Sequence, residues 1–238
     1  MLLNVFNLLL NRFKHHFNAT LALGVVLGLS ALPALAASPA ANTSTTKAAK
    51  ATAAPVILVV GDSLSAEYGL ARGQGWVALL EKKLAAESMP VKVINASISG
   101  DTTSGGRSRL GPLLAQHKPT HVVIELGGND ALRGLPLKMT ADNLSAMTDA
   151  AQKAGAKVLL VGMQLPPNYG ADYRKQFADT FAKVATAKKA GLVPFFLKDV
   201  ADLADATKLF QADRIHPTAA AHPIMLTNVW PELKKQLK

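Results

Sequence analysis

Ser63, Asp213 and His216 have the residue types and the spacing that nucleophilic hydrolysis requires. That chemistry needs a hydroxyl group, a base that takes its proton, a carboxylate that orients the base, and donors for the oxyanion. Beyond residue 54, only His216 has an acid three residues before it, so Asp213 can bind Nδ1 and leave Nε2 free. The rivals are His222, which has no adjacent carboxylate, and Ser65, which we expect to cap the element that follows.

Hydrogen-bond donors for an oxyanion come from three separate segments. Gly100 can expose its backbone N–H because no side chain blocks the approach of a ligand, and Asn129 offers a side-chain amide. Together with the N–H of Ser63, they predict an oxyanion hole of three donors. Gly61 is expected to permit a tight turn before Ser63. The neighbouring acids are interpreted as turn-builders that bind loop backbone: Asp62, Asp101 and Asp130.

Short apolar segments alternate with amphipathic ones beyond residue 54. The strand candidates run over residues 56–60, 91–96, 121–126, 157–161 and 192–196. Apolar residues at helical spacing predict helices at 76–84, at 110–117 (the end of a helix), around 144–151, at 173–184 and at 225–233. Apolar strands that alternate with helices predict an α/β fold, a three-layer α/β/α sandwich with a central, mostly parallel five-stranded sheet.

The candidate residues follow the predicted strands directly. In open parallel sheets, ligands bind beyond the carboxyl ends of the strands, so we expect the site at that edge. An apolar groove for a substrate is expected near the ends of the first and fourth strands, formed by Leu64, Leu165, Pro166 and Tyr169. No metal site is predicted, because Asp213 is better explained as the partner of His216 than as a metal ligand.

The N-terminal segment is not expected to belong to the fold. Arg12 and Lys14 precede an uncharged apolar segment and then a small-residue A-x-A site, an order typical of a secretory signal peptide. The predicted organisation is a signal peptide at 1–36, a flexible Ala/Ser/Thr-rich linker at 37–54 and a hydrolase domain at 55–238. Export is therefore expected, to the periplasm or out of the cell, with no stable membrane span after cleavage. An uncleaved anchor is the alternative.

Composition excludes several classes of protein. The 238 residues include no cysteine, which excludes disulfides, a cysteine nucleophile and thiolate metal sites. A charged fraction of 18% and a hydrophobic fraction of 49% argue against intrinsic disorder. Four of the 26 basic residues and none of the 16 acidic residues lie in residues 1–54, which leaves a net charge of +6 on residues 55–238. These basic residues are scattered, so nucleic-acid binding is not expected.

Four sequence blocks resemble the SGNH (GDSL) hydrolase superfamily, which is named for such residue types. They are Gly61-Asp62-Ser63-Leu64-Ser65, Gly100, Gly127-Gly128-Asn129-Asp130 and Asp213-x-x-His216-Pro217. Longer segments are similar to one subgroup, the bacterial periplasmic multifunctional thioesterase/lysophospholipase/arylesterase group. These segments are residues 61–66, 93–102, 125–130 and 165–170.

The resemblance implies a flavodoxin-like SGNH hydrolase fold with no metal and no organic cofactor. It implies a serine hydrolase of lipid metabolism that cleaves small-molecule acyl esters and thioesters through an acyl-enzyme, with the acyl chain in the apolar groove described above. The implied oxyanion hole is Ser63, Gly100 and Asn129, with Asp213 and His216 completing the triad. We expect a monomer. Two alternatives stay open. One is a deacetylase of an acetylated polysaccharide, and the other, in a different class, is a non-catalytic exported binding protein.

Three residues depart from the pattern of this group. Glu67 stands where the subgroup often has a small residue, Arg214 where many relatives have glycine, and His222 where a polar amide is expected. Glu67 is expected to narrow or charge the entrance of the site. All three departures bear on substrate preference, and none of them replaces a member of the triad.

Overall fold

The structure, a computed structural model, describes residues 54–238 as alternating strands and helices. The strands are β1 (Val56–Gly61), β2 (Lys92–Asn95), β3 (His121–Glu125), β4 (Lys157–Val161) and β5 (Gly191–Val193). The helices are α1 (Trp76–Ala86), α2 (Thr103–His117), α3 (Gly128–Leu132), α4 (Leu137–Lys153), α5 (Ala171–Lys188) and α6 (His222–Leu237). Short 3₁₀ turns lie at Pro167–Tyr169, Ala206–Leu209 and Ala219–Ala221.

The sheet is parallel throughout, with the strand order β2-β1-β3-β4-β5. Helices α2, α4 and α5 pack against one another in series, while α1 packs against α6, so the sheet is flanked by helices. The predicted α/β fold with a central five-stranded sheet is therefore confirmed. In this doubly wound order the winding reverses between β1 and β3, and ligands bind at such a switch point.

The central strands are buried because helices cover the sheet. Residues Ile57–Val60 of β1 and Val122–Ile124 of β3 expose none of their surface. The largest buried side chains include Trp76, Phe177 and Phe196. Burying one large apolar side chain stabilises a fold by roughly 1.5–3 kcal/mol, so this core holds the strand ends, and the loops that follow them, in fixed positions.

Three of the five predicted strands were too long at their carboxyl ends. The strand predicted at residues 192–196 is β5 at Gly191–Val193, because Pro194 has no N–H to donate to a sheet. Beyond it, the N–H of Phe196 donates to the carbonyl oxygen of Gly162 (2.8 Å), directly after β4, without continuing the strand. β2 loses one residue at each end of the prediction, and β3 loses one at its carboxyl end.

The sequence pattern predicted only the end of one helix near the site and did not predict another. Helix α2 begins at Thr103, well before residue 110, and Thr102 caps it by accepting the N–H of Gly105 on its side-chain oxygen (3.2 Å). Its two adjacent glycines and an internal proline, Pro112, obscure the helical pattern in the sequence. The Gly127–Asp130 block, interpreted as a loop, contains the start of the short helix α3.

The predicted signal peptide (1–36) and the predicted linker up to residue 53 lie outside the described residues. Among residues 54–238, no helix is both long enough and apolar enough to cross a membrane.

Candidate active site

Ser63 lies in a tight turn directly after β1. The carbonyl oxygen of Asp62 accepts the N–H groups of Ser65 (3.2 Å) and Ala66 (2.9 Å), which winds the chain into a helical turn. Ser63 stands at the start of this turn and is half-buried. The core therefore fixes the candidate nucleophile through β1 while leaving part of its side chain accessible.

Gly61 is needed for space, not for an unusual backbone angle. Its φ is not in the left-handed region, so glycine permits the tight turn by leaving room for it and not through its backbone angle. A β-carbon at this position would lie 2.7 Å from Ser65 Oγ and 2.9 Å from Glu125 Oε2. Both atoms are parts of buried side chains that pack against the strand end.

The predicted triad residues are brought together from the two ends of the described chain. Ser63 Oγ lies 2.9 Å from His216 Nε2. His216 Nδ1 lies 2.6 Å from Asp213 Oδ2. With Nδ1 donating to the carboxylate, Nε2 is left as an acceptor for the Ser63 hydroxyl proton. These three side chains therefore form one continuous hydrogen-bonded chain.

Asp213 is held by its own loop. Its Oδ1 accepts the N–H groups of Ile215 (2.9 Å) and His216 (3.0 Å), while Oδ2 faces the imidazole. The backbone N–H and the imidazole of His216, with the N–H of Ile215, lower the pKa of Asp213 to about 2. Because this pKa is below the unfolded value, the stability contributed by the carboxylate is present above about pH 4 and is lost as pH falls through about 2.

The two other oxyanion candidates lie just beyond the carboxyl ends of neighbouring strands. Gly100, after β2, has a φ of 77°, and a β-carbon there would meet only Arg133 Nη2 at 3.8 Å, so backbone conformation rather than space favours glycine. Arg133 Nη2 also donates to the carbonyl oxygen of Gly100 (2.8 Å). Asn129, in the first turn of α3, donates from Nδ2 to Asp62 Oδ2 (3.0 Å). Both residues follow strands that flank β1.

The neighbouring aspartates divide into two kinds. Asp62 and Asp101 bind nearby backbone N–H groups, as expected of turn-builders, and Asp101 also forms an ion pair with Arg109 (2.8 Å). Asp130 does not fit that interpretation, because it joins three helices. It accepts the N–H of Thr103 (2.9 Å) and the hydroxyl groups of Thr103 and Thr140.

Ser65 does not cap a helix, contrary to expectation. Its hydroxyl donates to Glu125 Oε2 (2.7 Å) and accepts the indole N–H of Trp76 (3.0 Å). It is 1% exposed, so its side chain points from the nucleophile turn into the core. The sequence contains no short-range signal for this cluster, because Ser65 and Glu125 are 60 residues apart.

His222 has a structural role. It is buried at the start of α6, and its Nδ1 accepts the backbone N–H of Trp76 (3.0 Å). Burial lowers the pKa of His222 to about 4, so the ring is neutral and can keep accepting at physiological pH. This contact accounts for the departure at residue 222, since the ring supplies an acceptor for the first turn of α1.

Glu67 is engaged by its own loop. Its Oε1 accepts the N–H groups of Gly73 (3.0 Å) and Gly75 (2.7 Å). The carboxylate therefore closes the segment between the nucleophile turn and α1. The expectation that Glu67 narrows or charges the entrance of the site stays a prediction.

The residues predicted to line an acyl groove differ in accessibility. Leu64 and Leu165 are buried in the core, Pro166 is exposed, and Tyr169 is half-buried and stacked on Tyr173 with ring centroids 6.3 Å apart. Only Pro166 and Tyr169 offer substantial surface to a ligand. The groove stays a prediction.

Tyr68 is a site residue that the sequence reasoning missed. Its ring centroid lies 4.2 Å from that of His216, and half of its surface is exposed. Gln211 Nε2 donates to the carbonyl oxygens of Tyr68 (2.9 Å) and Pro217 (3.0 Å), which ties the nucleophile turn to the His216 loop. The sequence signal that could have indicated this role is an aromatic residue five positions after the candidate nucleophile.

Comparison with known proteins assigns this arrangement to a family. The sequence profile of the GDSL-like lipase/acylhydrolase family matches residues 59–224. The chain belongs to this family. Esterase TesA of Pseudomonas aeruginosa is 54% identical over 185 residues, which cover 78% of this chain and 90% of that protein. Thioesterase 1/protease 1/lysophospholipase L1 of Escherichia coli (strain K12) is 40% identical over 176 residues, which cover 74% and 82%.

The fold of this GDSL-like hydrolase is also that of a solved relative. The crystal structure of TesA matches with a TM-score of 0.73 at 54% identity, over 76% of this chain and 99% of that chain. The resemblance to this superfamily, inferred from four short blocks, is therefore confirmed.

Arg214 carries local strain within this GDSL-like hydrolase. Its φ of 57° is in the left-handed region, which costs a residue with a side chain roughly 1–2 kcal/mol. Arg214→Gly is expected to raise the free energy of unfolding by about 0.5–1 kcal/mol, since the greater flexibility of unfolded glycine offsets part of the gain. Urea unfolding measures this, with Arg72→Gly, at an exposed arginine without positive φ, as the control. An unchanged or lower stability in Arg214→Gly alone would contradict it.

Proposed function

We propose that this protein is a serine hydrolase that cleaves carboxylic esters and thioesters of acyl chains through an acyl-enzyme on Ser63. The observation that carries the proposal is the continuous chain of hydrogen bonds from Ser63 Oγ to His216 Nε2 (2.9 Å) and from His216 Nδ1 to Asp213 (2.6 Å). A purely ligand-binding protein has no use for an oriented base beside a hydroxyl group. The names of the two relatives, an esterase and a thioesterase/lysophospholipase, support the substrate class.

In the first step, Ser63 Oγ attacks the acyl carbon while His216 Nε2 takes the hydroxyl proton. The carbonyl electron pair moves onto oxygen, which is then stabilised by the N–H groups of Ser63 and Gly100 and by the Asn129 amide. Asp213 stabilises the positive imidazolium that results. When the C–O or C–S bond breaks, His216 gives its proton to the leaving alcohol or thiol.

In the second step, water hydrolyses the acyl-enzyme. His216 takes a proton from the water as its oxygen attacks the acyl carbon, and a second oxyanion forms against the same donors. Collapse of this intermediate breaks the bond to Ser63 Oγ, which regains its proton from His216. The products are the free carboxylic acid and the original enzyme.

The amide of Asn129 is tested by its removal. Asn129→Ala is expected to lower kcat on a p-nitrophenyl ester by about 10²–10³-fold with little change in KM, because a donor to the oxyanion acts in the transition state. Steady-state kinetics measures both constants. The control is Asn228→Ala, because that amide binds the carbonyl oxygens of Phe196 and Lys198 in another loop. A similar loss of kcat in both variants would contradict the specific role of Asn129.

Substrate preference is tested with an acyl series from C2 to C16, measured as both ester and thioester. We expect turnover of both esters and thioesters, because His216 can give its proton to either a leaving alcohol or a leaving thiol. Tyr169→Ala should reduce kcat/KM more for long chains than for short ones if Tyr169 lines the acyl groove. Equal losses at every chain length would remove Tyr169 from the groove, and turnover of acetyl-sugar esters alone would favour a deacetylase.

We propose that the domain acts after export to the periplasm, as a monomer. The support is the charge and apolar pattern of residues 1–36, which is typical of a cleaved leader. The N-terminal sequence of the protein recovered from a periplasmic fraction tests the cleavage site after Ala36. Recovery of the intact N-terminus in the membrane fraction would favour an anchor instead.

A further inference from the structure

Two buried carboxyl groups meet beneath the nucleophile turn, and neither is a member of the triad. Asp62 and Glu125 are 3% and 2% exposed, at the carboxyl ends of the adjacent strands β1 and β3. Glu125 Oε2 lies 3.4 Å from the backbone nitrogen of Asp62, which places its carboxyl group against the residue that precedes Ser63. Glu125 pairs in register with Gly61, the residue before Asp62, and two negative charges buried on such adjacent strand ends are strongly unfavourable.

The two carboxyl groups have different hydrogen-bond partners. Both oxygens of Asp62 accept from N–H donors: Oδ1 from the backbone of Leu64 (3.0 Å) and Oδ2 from Asn129 Nδ2 (3.0 Å). Among the described residues, the hydrogen bonds of Glu125 fall on Oε2 alone, from the Ser65 hydroxyl and, at longer range, from the backbone N–H of Asp62. An ionised carboxylate accepts on both oxygens, whereas a protonated one needs an oxygen for its O–H. The partners therefore favour the charge on Asp62.

We propose that Asp62 and Glu125 share one negative charge, which resides on Asp62 and orients the Asn129 amide for the oxyanion. The proposal rests on the function proposed above. An amide nitrogen has two hydrogens, and anchoring one of them to Asp62 Oδ2 fixes the direction of the other. Asp62 is thus a positioning residue, and Glu125 supports it by remaining neutral.

The surroundings of the pair agree with this distribution of charge. Burial raises the pKa of Asp62 to about 6, although the Leu64 N–H, Asn129 and His216 oppose the shift and Asp101 adds to it. Burial, followed by the charge of Asp62, raises the pKa of Glu125 well above its usual range. The guanidinium of Arg109, which donates to the carbonyl oxygen of Gly61 (3.3 Å), is the nearby cation on the α2 side.

The first test is a double-mutant cycle on a p-nitrophenyl ester. In Asp62→Asn, the new amide either presents its NH₂ group to the NH₂ group of Asn129 or, if the amide is flipped, loses its hydrogen bond with the Leu64 N–H. The variant is expected to lower kcat about 100-fold with little change in KM. In an Asn129→Ala background, Asp62→Asn should cost less than about 3-fold more, because the amide it positions is absent. Equal losses in both backgrounds would show that Asp62 only supports the turn and would overturn the proposal.

The cycle also separates this proposal from the proposed function. If Asn129→Ala alone has no effect on kcat, the oxyanion hole is wrong. If Asn129→Ala lowers kcat and Asp62→Asn does not, only the positioning role fails. The acid limb of the kcat profile adds a second readout. Loss of the Asp62 charge as pH falls through about 6 should add to the fall of kcat in the parent, so the limb should be shallower in the Asp62→Asn variant.

Glu125 is tested through stability, which decides the proposal if Asp62→Asn unfolds. A carboxyl group whose pKa is raised on folding contributes stability at low pH that is lost as pH rises. Glu125→Gln removes this loss, so the melting temperature should be near that of the parent at pH 4 and about 3 °C or more above it at pH 8. A variant that melts lower than the parent at pH 8 would show that Glu125 is ionised and paired, which would overturn the single-charge pair.

Discussion

Ser63→Ala is expected to lower kcat/KM for p-nitrophenyl esters by about 10⁴–10⁶-fold and to abolish labelling by a fluorophosphonate. Without Oγ, no acyl-enzyme can form, and the remaining turnover comes from water held near the oxyanion donors. Ser63 is half-buried, and its hydroxyl is bound only by His216 Nε2 (2.9 Å) among the described residues, so its loss should leave the fold intact. Initial rates, labelling and thermal melting together measure this outcome.

The matched control for Ser63 is the second serine of the same turn. Ser65→Ala should keep fluorophosphonate labelling, because the Ser65 hydroxyl is buried and faces Glu125 and Trp76. It should instead lower the melting temperature, since the buried Glu125 carboxyl and Trp76 indole lose a partner. If labelling persists in Ser63→Ala and disappears in Ser65→Ala, the nucleophile is Ser65 and not Ser63.

Asp213→Asn is expected to lower kcat by about 10³–10⁴-fold while the protein stays folded. Asparagine keeps an oxygen for the backbone N–H groups of Ile215 and His216, so the loop is retained. Its NH₂ group then donates to His216 Nδ1, which puts the imidazole proton on Nε2. In that tautomer, Nε2 cannot accept the proton of Ser63, so the nucleophile is not activated.

The pH dependence of Asp213→Asn distinguishes a wrong tautomer from a damaged site. Activity lost through the tautomer should recover in part at high pH, where hydroxide or ionised serine bypasses the base. Asp205→Asn is the control, because Asp205 is an exposed acid in the segment between β5 and α6, bound to Thr207 and Lys208. If Asp213→Asn keeps more than about a tenth of the parent kcat, Asp213 is not the orienting acid.

The central part of the fold could be predicted because its signals are local. The segment Val56–Val60 is uniformly apolar between a proline and a glycine, as a strand covered on both faces must be. The spacing of Asp213 and His216 is also local, since three residues suffice for the carboxylate to reach the ring. The edge of the sheet at which the site lies then followed from the parallel strand order.

The parts that could not be predicted depend on contacts between distant segments. The role of Ser65 is decided by Glu125, 60 residues later, and that of His222 by Trp76, 146 residues earlier. Helix α3 is five residues long and its stability comes from Asp130, whose partners lie on α2 and α4. Local propensity is a weak guide where tertiary contacts supply most of the stabilisation.

The distance along the chain between Ser63 and His216 has a consequence for when activity first arises. The hydrogen bond between them spans 153 residues. At roughly 5–20 residues per second, a ribosome needs about 8–30 seconds to extend the chain from one to the other. Parallel pairing adds further non-local contacts, which slow folding. A nascent chain therefore carries a serine without a base for most of its synthesis, and esterase activity begins only when the last loop has closed onto β1.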